Sequence, residues 1–285
     1  MRIWDPDAAA LANAPALIAQ SLEDVARHGL AKDAAASARR IETAASLEAA
    51  ARDVELVVES GPELVDVKID LFARLDAAAP ASAILASSSS AIVTSRFTEK
   101  LKGRHRCLVA HPVNPPHVVP IVELSGAHWT SPETIARARA IYDSVGQVPI
   151  VVKREIDGFI LNRMQAVLLS EAMRLVGEGY VSAEDLDKTI RDGLGLRWSF
   201  MGPFETIELN APGGIPDYCA RFGETYTQLA SKPVTAELWG KDNVGRAVAS
   251  WGRSPSPQDI LDKQRWRDER LAALVAHKKS QPQSQ

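Results

Sequence analysis

The stretch from Cys107 to Glu123, which reads CLVAHPVNPPHVVPIVE, holds two residues whose types and spacing could do acid–base chemistry. An apolar run ends in His111, four prolines between residues 112 and 120 exclude a helix, and a second apolar run carries Glu123. We therefore predict a strand, a proline-rich turn and a second strand. An imidazole beside a carboxylate is a general base with a partner that fixes its tautomer. The alternative is a surface histidine followed by an unrelated glutamate.

The composition is that of a globular protein. The chain has 285 residues, 46% of them hydrophobic and 24% charged, which suits one large or two medium domains. A net charge of −3 gives no indication of a nucleic-acid or anionic-membrane partner. The two cysteines, Cys107 and Cys219, lack CxxC spacing, so we expect no disulfide framework or zinc site, and a cytoplasmic location fits. No apolar run approaches the roughly 18 residues of a membrane span, and the N-terminal MRIWDPD lacks the apolar region of a signal peptide.

Strand-like and helix-like segments alternate over the first half of the chain. We predict strands at 2–4, 55–59, 83–86, 107–110, 121–124 and 147–152, and helices at 8–28, 32–40, 64–78 and 130–145. This alternation predicts a parallel sheet with helices on its faces. Ligands of such sheets lie beyond the carboxyl ends of the strands, where Asp5, Glu59–Glu63, Ser87–Ser90 and His111 fall. We therefore expect these residues to share one site.

The second half of the chain shows only helical patterns. The predicted helices are 159–178, 182–192, 216–229, 236–251 and 257–278. We place a domain boundary near Lys153–Asp157, which gives an α/β domain at 1–154 and a helical domain at 155–285. Helical spacing predicts two buried faces in the α/β domain, formed by Leu11, Leu17, Ile18, Leu22 and Val25 and by Leu64, Val67, Leu71 and Leu75.

Four segments resemble the NAD-dependent 3-hydroxyacyl-CoA dehydrogenases, namely VESGPELVDVK (58–68), ASSSSAI (86–92), HPVNPPHVVPIVE (111–123) and DGFILNRM (157–164). Their order and spacing agree with that family over essentially the whole chain. GLGLRWSFMGPFETIELN (193–210) and QRWRDERL (264–271) resemble its lambda-crystallin and L-gulonate 3-dehydrogenase branch. The resemblance implies a Rossmann-type doubly wound sheet followed by an all-α domain, NAD as cofactor, a small hydroxy acid or hydroxyacyl-CoA as substrate, and a homodimer formed through the helical domain.

The resemblance also implies roles for the site residues. His111 is the base that takes the hydroxyl proton, and Glu123 pairs with it. Ser90 and Asn162 bind the reacting oxygen and hold the substrate. The cofactor-binding residues are Asp5, which contacts the adenosine ribose, and Glu63, Lys68 and Ser90.

Each of these roles has a simpler structural alternative. Asp5 could be a turn former beside Pro6, and Ser87–Ser90 could be a serine turn that caps the next helix. Lys68 could be a solvated helix charge paired with a nearby acid. Asn162 is a poor helix former placed one turn into a helix, which favours a functional reason for its presence. His117 is expected to be a loop surface residue, and the histidines show no zinc spacing, so we expect no metal.

A dinucleotide-binding fold should begin with a strand, a G-x-G-x-x-G loop and a helix, with an acid about 20 residues after the glycines. The corresponding acid here is Asp5, and no G-x-G-x-x-G occurs in the sequence. We therefore expect the first strand, the phosphate loop and the first helix to be absent, roughly 30 residues in all. We favour a start codon placed too late over a true truncation.

Two functions remain open at this point. The first is an NAD-dependent dehydrogenase, and the second is a catalytically silent, crystallin-like structural or binding protein. Retention of His111, Glu123, Ser90 and Asn162 together favours the enzyme. Arg197, flanked by Trp198 and Phe200, suits bidentate capture of a free carboxylate, whereas a surface arginine stacked on Trp198 is the simpler alternative. We therefore expect small free hydroxy acids, such as L-gulonate or a short 3-hydroxy acid, to be better substrates than CoA thioesters.

Overall fold

The computed structural model describes residues 1–230, 233–253 and 255–281. The chain divides into two compact units. One comprises residues 1–163 and the chain from Leu261 onward, and the other comprises Met164–Ile260. The sequence-based boundary near residue 154 stays a prediction.

The described residues of the first unit form seven strands: β1 Arg2–Ile3, β2 Glu42–Thr43, β3 Leu56–Glu59, β4 Ile84–Ser87, β5 Cys107–Pro112, β6 Ile121–Ser125 and β7 Val148–Val152. Strands β3 to β7 form a five-stranded sheet in sequence order, while β1 and β2 form a separate parallel pair. Pairing is parallel from β3 to β5 and between β6 and β7, but antiparallel between β5 and β6. The expected parallel sheet therefore has one antiparallel step, at the segment predicted as strand, proline-rich turn and strand. A parallel crossover needs about a dozen residues or more, and residues 113–120 are too few.

The helices of this unit are α1 Ala8–Ala26, α2 Ala34–Arg39, α3 Leu47–Ala51, α4 Val65–Ala78, α5 Ser95–Thr98 and α6 Pro132–Ser144. Asp7 caps α1 by accepting the amide hydrogens of Ala9 and Ala10, and Ser131 caps α6 by accepting that of Thr134. Strand β2 and helices α3 and α5 are short elements that the sequence did not predict.

The core fills both faces of the sheet. On one face, residues of β4 and β5 such as Leu85 and Val109 pack with Phe72 and Leu75 of α4. On the other face, Ala138 of α6 packs against residues of β4, β5 and β6. This buried cluster consists of Ile84, Ala86, Leu108, Ala110, Val122, Leu124 and Ala138. Strand β4 is buried along its whole length, which fixes the position of the serines that follow it.

Two predicted helix faces differ from the structure. In α4 the buried residues are Lys68, Phe72 and Leu75, whereas Leu64 is 60% exposed, so the buried face is rotated from the one predicted. In α1 only Val25 is buried. It packs with Val118 and Ala272, which reach only the C-terminal end of the helix.

The remaining helices are α7 Leu161–Gly177, α8 Ala183–Lys188, α9 Gly195–Trp198, α10 Pro203–Leu209, α11 Gly214–Leu229, α12 Lys241–Trp251 and α13 Pro257–Ser280. The fold class predicted from the sequence, a Rossmann-type sheet followed by a helical domain, is confirmed. Within the helical unit, buried Asn243 of α12 donates to the carbonyl oxygens of Met173 at 3.0 Å and Leu238 at 2.9 Å. No helix in the described parts of the chain is long and apolar enough to cross a membrane.

Candidate active site

The predicted pairing of His111 with Glu123 is built by two neighbouring strands. The antiparallel register of β5 and β6 places these two residues directly opposite each other, where side chains of a strand pair meet. Nδ1 of His111 lies 2.8 Å from Oε2 of Glu123. Both side chains are buried, at 5% and 0% exposure of the residue. The structure therefore excludes the alternative of a surface histidine beside an unrelated acid.

The other carboxylate oxygen of Glu123 holds the start of α7. Oε1 accepts the amide hydrogens of Ile160 at 2.9 Å and Leu161 at 3.1 Å. Burial alone raises the pKa of Glu123, but the hydrogen bond with His111 and these two amides outweigh it, so its pKa lies below the ordinary value. The carboxylate is therefore ionised at neutral pH, and it can stabilise an imidazolium on His111.

The remaining ring nitrogen of His111 is open. Among the described residues, Nε2 has no hydrogen-bond partner. The one described side-chain polar atom that is both buried and without a partner is Oγ of Ser125, so Nε2 is not buried. Nε2 is thus reachable from solvent. A histidine that donates from Nδ1 and leaves Nε2 unprotonated is arranged to accept a proton.

Phe159 packs against this histidine, and sequence reasoning missed it. Its ring centroid lies 5.3 Å from that of His111, and the side chain is fully buried. Its φ of 50° is left-handed, and it follows Gly158 at φ 75°. A bulky residue in this region costs about 1–3 kcal/mol and persists where its surroundings enforce it. The sequence predicted a domain boundary near here, but nothing in it indicated where the ring of Phe159 would lie.

Ser90 and Asn162 are brought together as the sequence predicted. Nδ2 of Asn162, in the first turn of α7, donates to the carbonyl oxygen of Ser90 at 2.8 Å. Since Leu161 is bound by Glu123, a continuous chain of contacts links His111, Glu123, the start of α7, Asn162 and Ser90. The hydroxyl of Ser90 has no partner within the described residues, and the residue is exposed.

Glu63 binds the serine run on the opposite side from Asn162. Its Oε2 accepts the hydroxyl of Ser89 at 2.8 Å, and its Oε1 accepts the amide hydrogen of Ser90. The residue is exposed, and a carboxylate has about four lone-pair positions. Its predicted contact with the cofactor therefore stays a prediction beside this structural role.

Lys68 does not reach the surface. It is fully buried, and its Nζ lies 3.1 and 3.0 Å from the two carboxylate oxygens of Glu59 and 3.3 Å from Oγ of Ser87. The alternative of a solvated helix charge is therefore wrong. The predicted direct contact with the cofactor stays a prediction, and the structure gives the ammonium other partners.

Asp5 and Arg197 lie outside this chain of contacts. Asp5 follows β1 and is exposed, and its Oδ1 accepts the amide hydrogen of Asp7 at 2.8 Å. Arg197, in α9 of the helical unit, is exposed, and its guanidinium makes no ion pair or cation–π contact within the described residues. The alternative of an arginine stacked on Trp198 is not observed. No cluster of metal-ligating side chains occurs in residues that the structure describes.

A Rossmann-type sheet with a histidine–glutamate pair on its inner strands β5 and β6, followed by a helical domain, is the arrangement of an NAD-dependent oxidoreductase. The chain belongs to the 3-hydroxyacyl-CoA dehydrogenase family. Residues 1–156 match the model of the NAD binding domain of that family, and residues 158–250 match the model of its C-terminal domain. The predicted family, cofactor and class of enzyme are thereby confirmed.

Individual proteins show the same similarity. The chain is 37% identical over 291 residues to lambda-crystallin of Oryctolagus cuniculus, covering 99% of this chain and 90% of that protein. It is 36% identical over 277 residues to an L-carnitine dehydrogenase of a Pseudomonas species, covering 95% and 84%. The solved structure of 5-formyl-3-hydroxy-2-methylpyridine 4-carboxylic acid 5-dehydrogenase superposes with a TM-score of 0.82 at 24% identity, covering 99% and 91%. At that identity the likeness concerns the fold alone.

Proposed function

We propose that the protein oxidises the secondary hydroxyl of a small free 3-hydroxy acid to a ketone, with His111 as the base. The observation that carries this proposal is the 2.8 Å contact between Nδ1 of His111 and Glu123, with Nε2 left open. Nε2 accepts the hydroxyl proton, and the ionised Glu123 stabilises the imidazolium that results. NAD, when bound, would supply the acceptor for the hydride that leaves the carbon bearing this hydroxyl.

Ser90 and Asn162 hold the reacting oxygen in this proposal. The Ser90 hydroxyl is unpartnered among the described residues, so it can donate to that oxygen. Asn162 fixes the backbone of Ser90 through its Nδ2. Donors that are held in place before the reaction lose little free energy to reorganisation when charge develops on the oxygen.

The residues present fit the nicotinamide end and the ribose end of the cofactor. Parallel sheets bind ligands beyond the carboxyl ends of their strands. Three of the predicted residues lie there: Ser90 after β4, His111 near the end of β5, and Glu63 in the connection between β3 and α4. Asp5 offers an exposed carboxylate directly after β1, which suits ribose hydroxyls.

The substrate class is supported by Arg197 and by one relative. An exposed guanidinium without an ion pair within the described chain is free to bind a carboxylate bidentately. One relative is an L-carnitine dehydrogenase, and L-carnitine is a free 3-hydroxy acid rather than a thioester. Both observations favour free acids, L-carnitine and L-gulonate among them, over CoA thioesters.

A substrate panel tests this class. NADH formation is followed at matched concentrations of L-carnitine, L-gulonate, 3-hydroxybutyrate and 3-hydroxybutyryl-CoA. Arg197→Met should raise KM for the acid substrate by the loss of about 1.5–3 kcal/mol of charged hydrogen bonding, with NAD affinity unchanged. Arg191→Met is the matched control, because Arg191 is also exposed in the same unit but is paired with Asp192 at 2.6 Å. A preference for the thioester, or an unmoved KM in Arg197→Met, would contradict the proposal.

A homodimer through the helical unit is the second part of the proposal. Helix α7 exposes apolar side chains, namely Met164 at 61%, Val167 at 70% and Leu168 at 38%. An apolar stripe of this kind on a helix typically marks a protein interface. Light scattering on the purified chain should give twice the monomer mass, and Val167→Lys should lower it toward one. The catalytically silent alternative is not favoured, since it gives no reason for the His111–Glu123 geometry.

A further inference from the structure

A buried ion pair lies beneath the turn that presents Ser90. Nζ of Lys68 contacts both carboxylate oxygens of Glu59, at 3.1 and 3.0 Å, and the two side chains are only 1% and 5% exposed. A buried pair of this kind contributes little net stability, because the desolvation of both charges offsets their attraction. Its best-attested use is to specify one arrangement of the groups around it.

Ser87 connects this pair to the serine run. Its hydroxyl donates to Oε2 of Glu59 at 2.6 Å and accepts from the amide of Ser89 at 3.2 Å and from Lys68 at 3.3 Å. A hydroxyl has one donor and two acceptor positions, so all three are used. Ser87 therefore has no capacity left to bind a ligand, and its orientation is fully determined.

Ser89 extends the same network toward Ser90. The hydroxyl of Ser89 donates to Glu63 and accepts from the amide of Ile92 at 2.8 Å. Glu59 also accepts the amide hydrogen of Gly61 at 2.6 Å, and a Cβ at Gly61 would lie only 2.8 Å from that carboxylate. The ion pair thus fixes both the β3–α4 connection that carries Glu63 and the serine run. Ser90 is the exposed end of this network.

We infer that Glu59, Lys68 and Ser87 are positioning residues, which set the turn at residues 87–90 so that the hydroxyl of Ser90 faces the reacting oxygen. Lys68 and Glu59 act on this turn through the hydroxyl of Ser87. The inference rests on the proposed function of Ser90, because the turn needs a fixed geometry only if Ser90 binds the substrate.

Hydrogen exchange in the cofactor-free full chain tests the positioning directly. Ser87→Ala removes the bridge but leaves the ion pair, and Ser88→Ala is the matched control, because its hydroxyl contacts only that of Ser60, at 3.0 Å. Residue-resolved exchange of the Ser89 amide should become about five- to tenfold faster in Ser87→Ala, which corresponds to one lost hydrogen bond. It should be unchanged in Ser88→Ala. Unchanged exchange in Ser87→Ala would overturn the inference.

Kinetics test the same positioning during turnover. Ser87→Ala should lower kcat about five- to tenfold and cause no further loss when added to Ser90→Ala, because both act through one hydroxyl. Additive losses would contradict the inference. If the unsubstituted protein oxidises no hydroxy acid, the proposed function fails, but the exchange experiment still decides the positioning.

Discussion

Glu123→Gln should inactivate the protein without unfolding it, because the two carboxylate oxygens of Glu123 have different hydrogen-bond partners. Oε1 of Glu123 accepts two amide hydrogens, from Ile160 and Leu161, while Oε2 faces Nδ1 of His111. A glutamine at this position keeps its oxygen toward the two amides, since its NH2 group there would face two donors. The NH2 group then points at Nδ1, which must act as an acceptor. The ring proton is forced onto Nε2, and Nε2 can no longer take a proton from the substrate.

The size of the effect is set by the contribution of the base. A positioned general base contributes about 10²–10⁴ in rate, so kcat should fall by that factor, equivalent to roughly 3–5 kcal/mol in the activation free energy. The affinity for NAD should stay unchanged, because the substitution alters only the tautomer. NADH formation measures the rate, using the free acid that the unsubstituted protein turns over best. Nitrogen NMR of labelled histidine, assigned with His111→Gln, measures the tautomer independently of turnover.

Two comparisons make the test decisive. Glu123→Ala also frees the amides at the start of α7, so it should lower the melting temperature as well as kcat, whereas Glu123→Gln should retain most of the stability. His111→Gln should lose as much activity as Glu123→Gln with NAD binding intact. A Glu123→Gln protein that keeps kcat within a few-fold, or whose His111 ring remains protonated at Nδ1, would refute the reasoning.

Two further outcomes are expected. Phe159→Ala should lower the free energy of unfolding by about 3–5 kcal/mol in denaturant titrations, because the ring of Phe159 is fully buried against His111. Phe200→Ala should change it little, since Phe200 is 67% exposed. Equal effects of the two substitutions would contradict this packing. Only one thiol should react quickly with a disulfide reagent in the native protein. Burial, followed by the nearby Asp76 carboxylate, raises the pKa of Cys107 to about 12, so its thiolate is only about one part in 10⁴ at pH 8. The fast thiol is exposed Cys219, and Cys219→Ser should abolish the rapid phase; a rapid phase that persists would show Cys107 to be accessible.

The histidine–glutamate pair could be predicted because its geometry is local in sequence. Only residues 113–120 separate the two strands, and prolines confine that segment to a turn. Two strands joined by so short a connection pair directly, and side chains opposite each other on one face must meet. Ser90 and Asn162 were reached through family resemblance, since a sequence separation of 72 leaves their contact to the tertiary fold.

The buried face of α4 shows why periodicity alone gave a wrong answer. The apolar positions of this helix predicted a stripe through Leu64 and Leu71, and a lysine at position 68 counted against burial. The helix buries the predicted Leu75 but adds Lys68 and Phe72, since the Lys68 ammonium pairs with the carboxylate of Glu59 at the end of β3. A hydropathy pattern assigns every lysine to solvent, and only the tertiary partner reverses that assignment.

Glu123 joins two tasks that the sequence presented as separate. One carboxylate oxygen orients the base, and the other holds the start of α7, whose first turn carries Asn162. The orientation of the proton acceptor and the placement of the residue that fixes Ser90 therefore depend on the same buried side chain. A shorter acid at this position, as in Glu123→Asp, could not reach both groups across the strand pair, so it would have to give up either the tautomer of His111 or the anchored helix start. The constraint falls on the length of the side chain as much as on its charge.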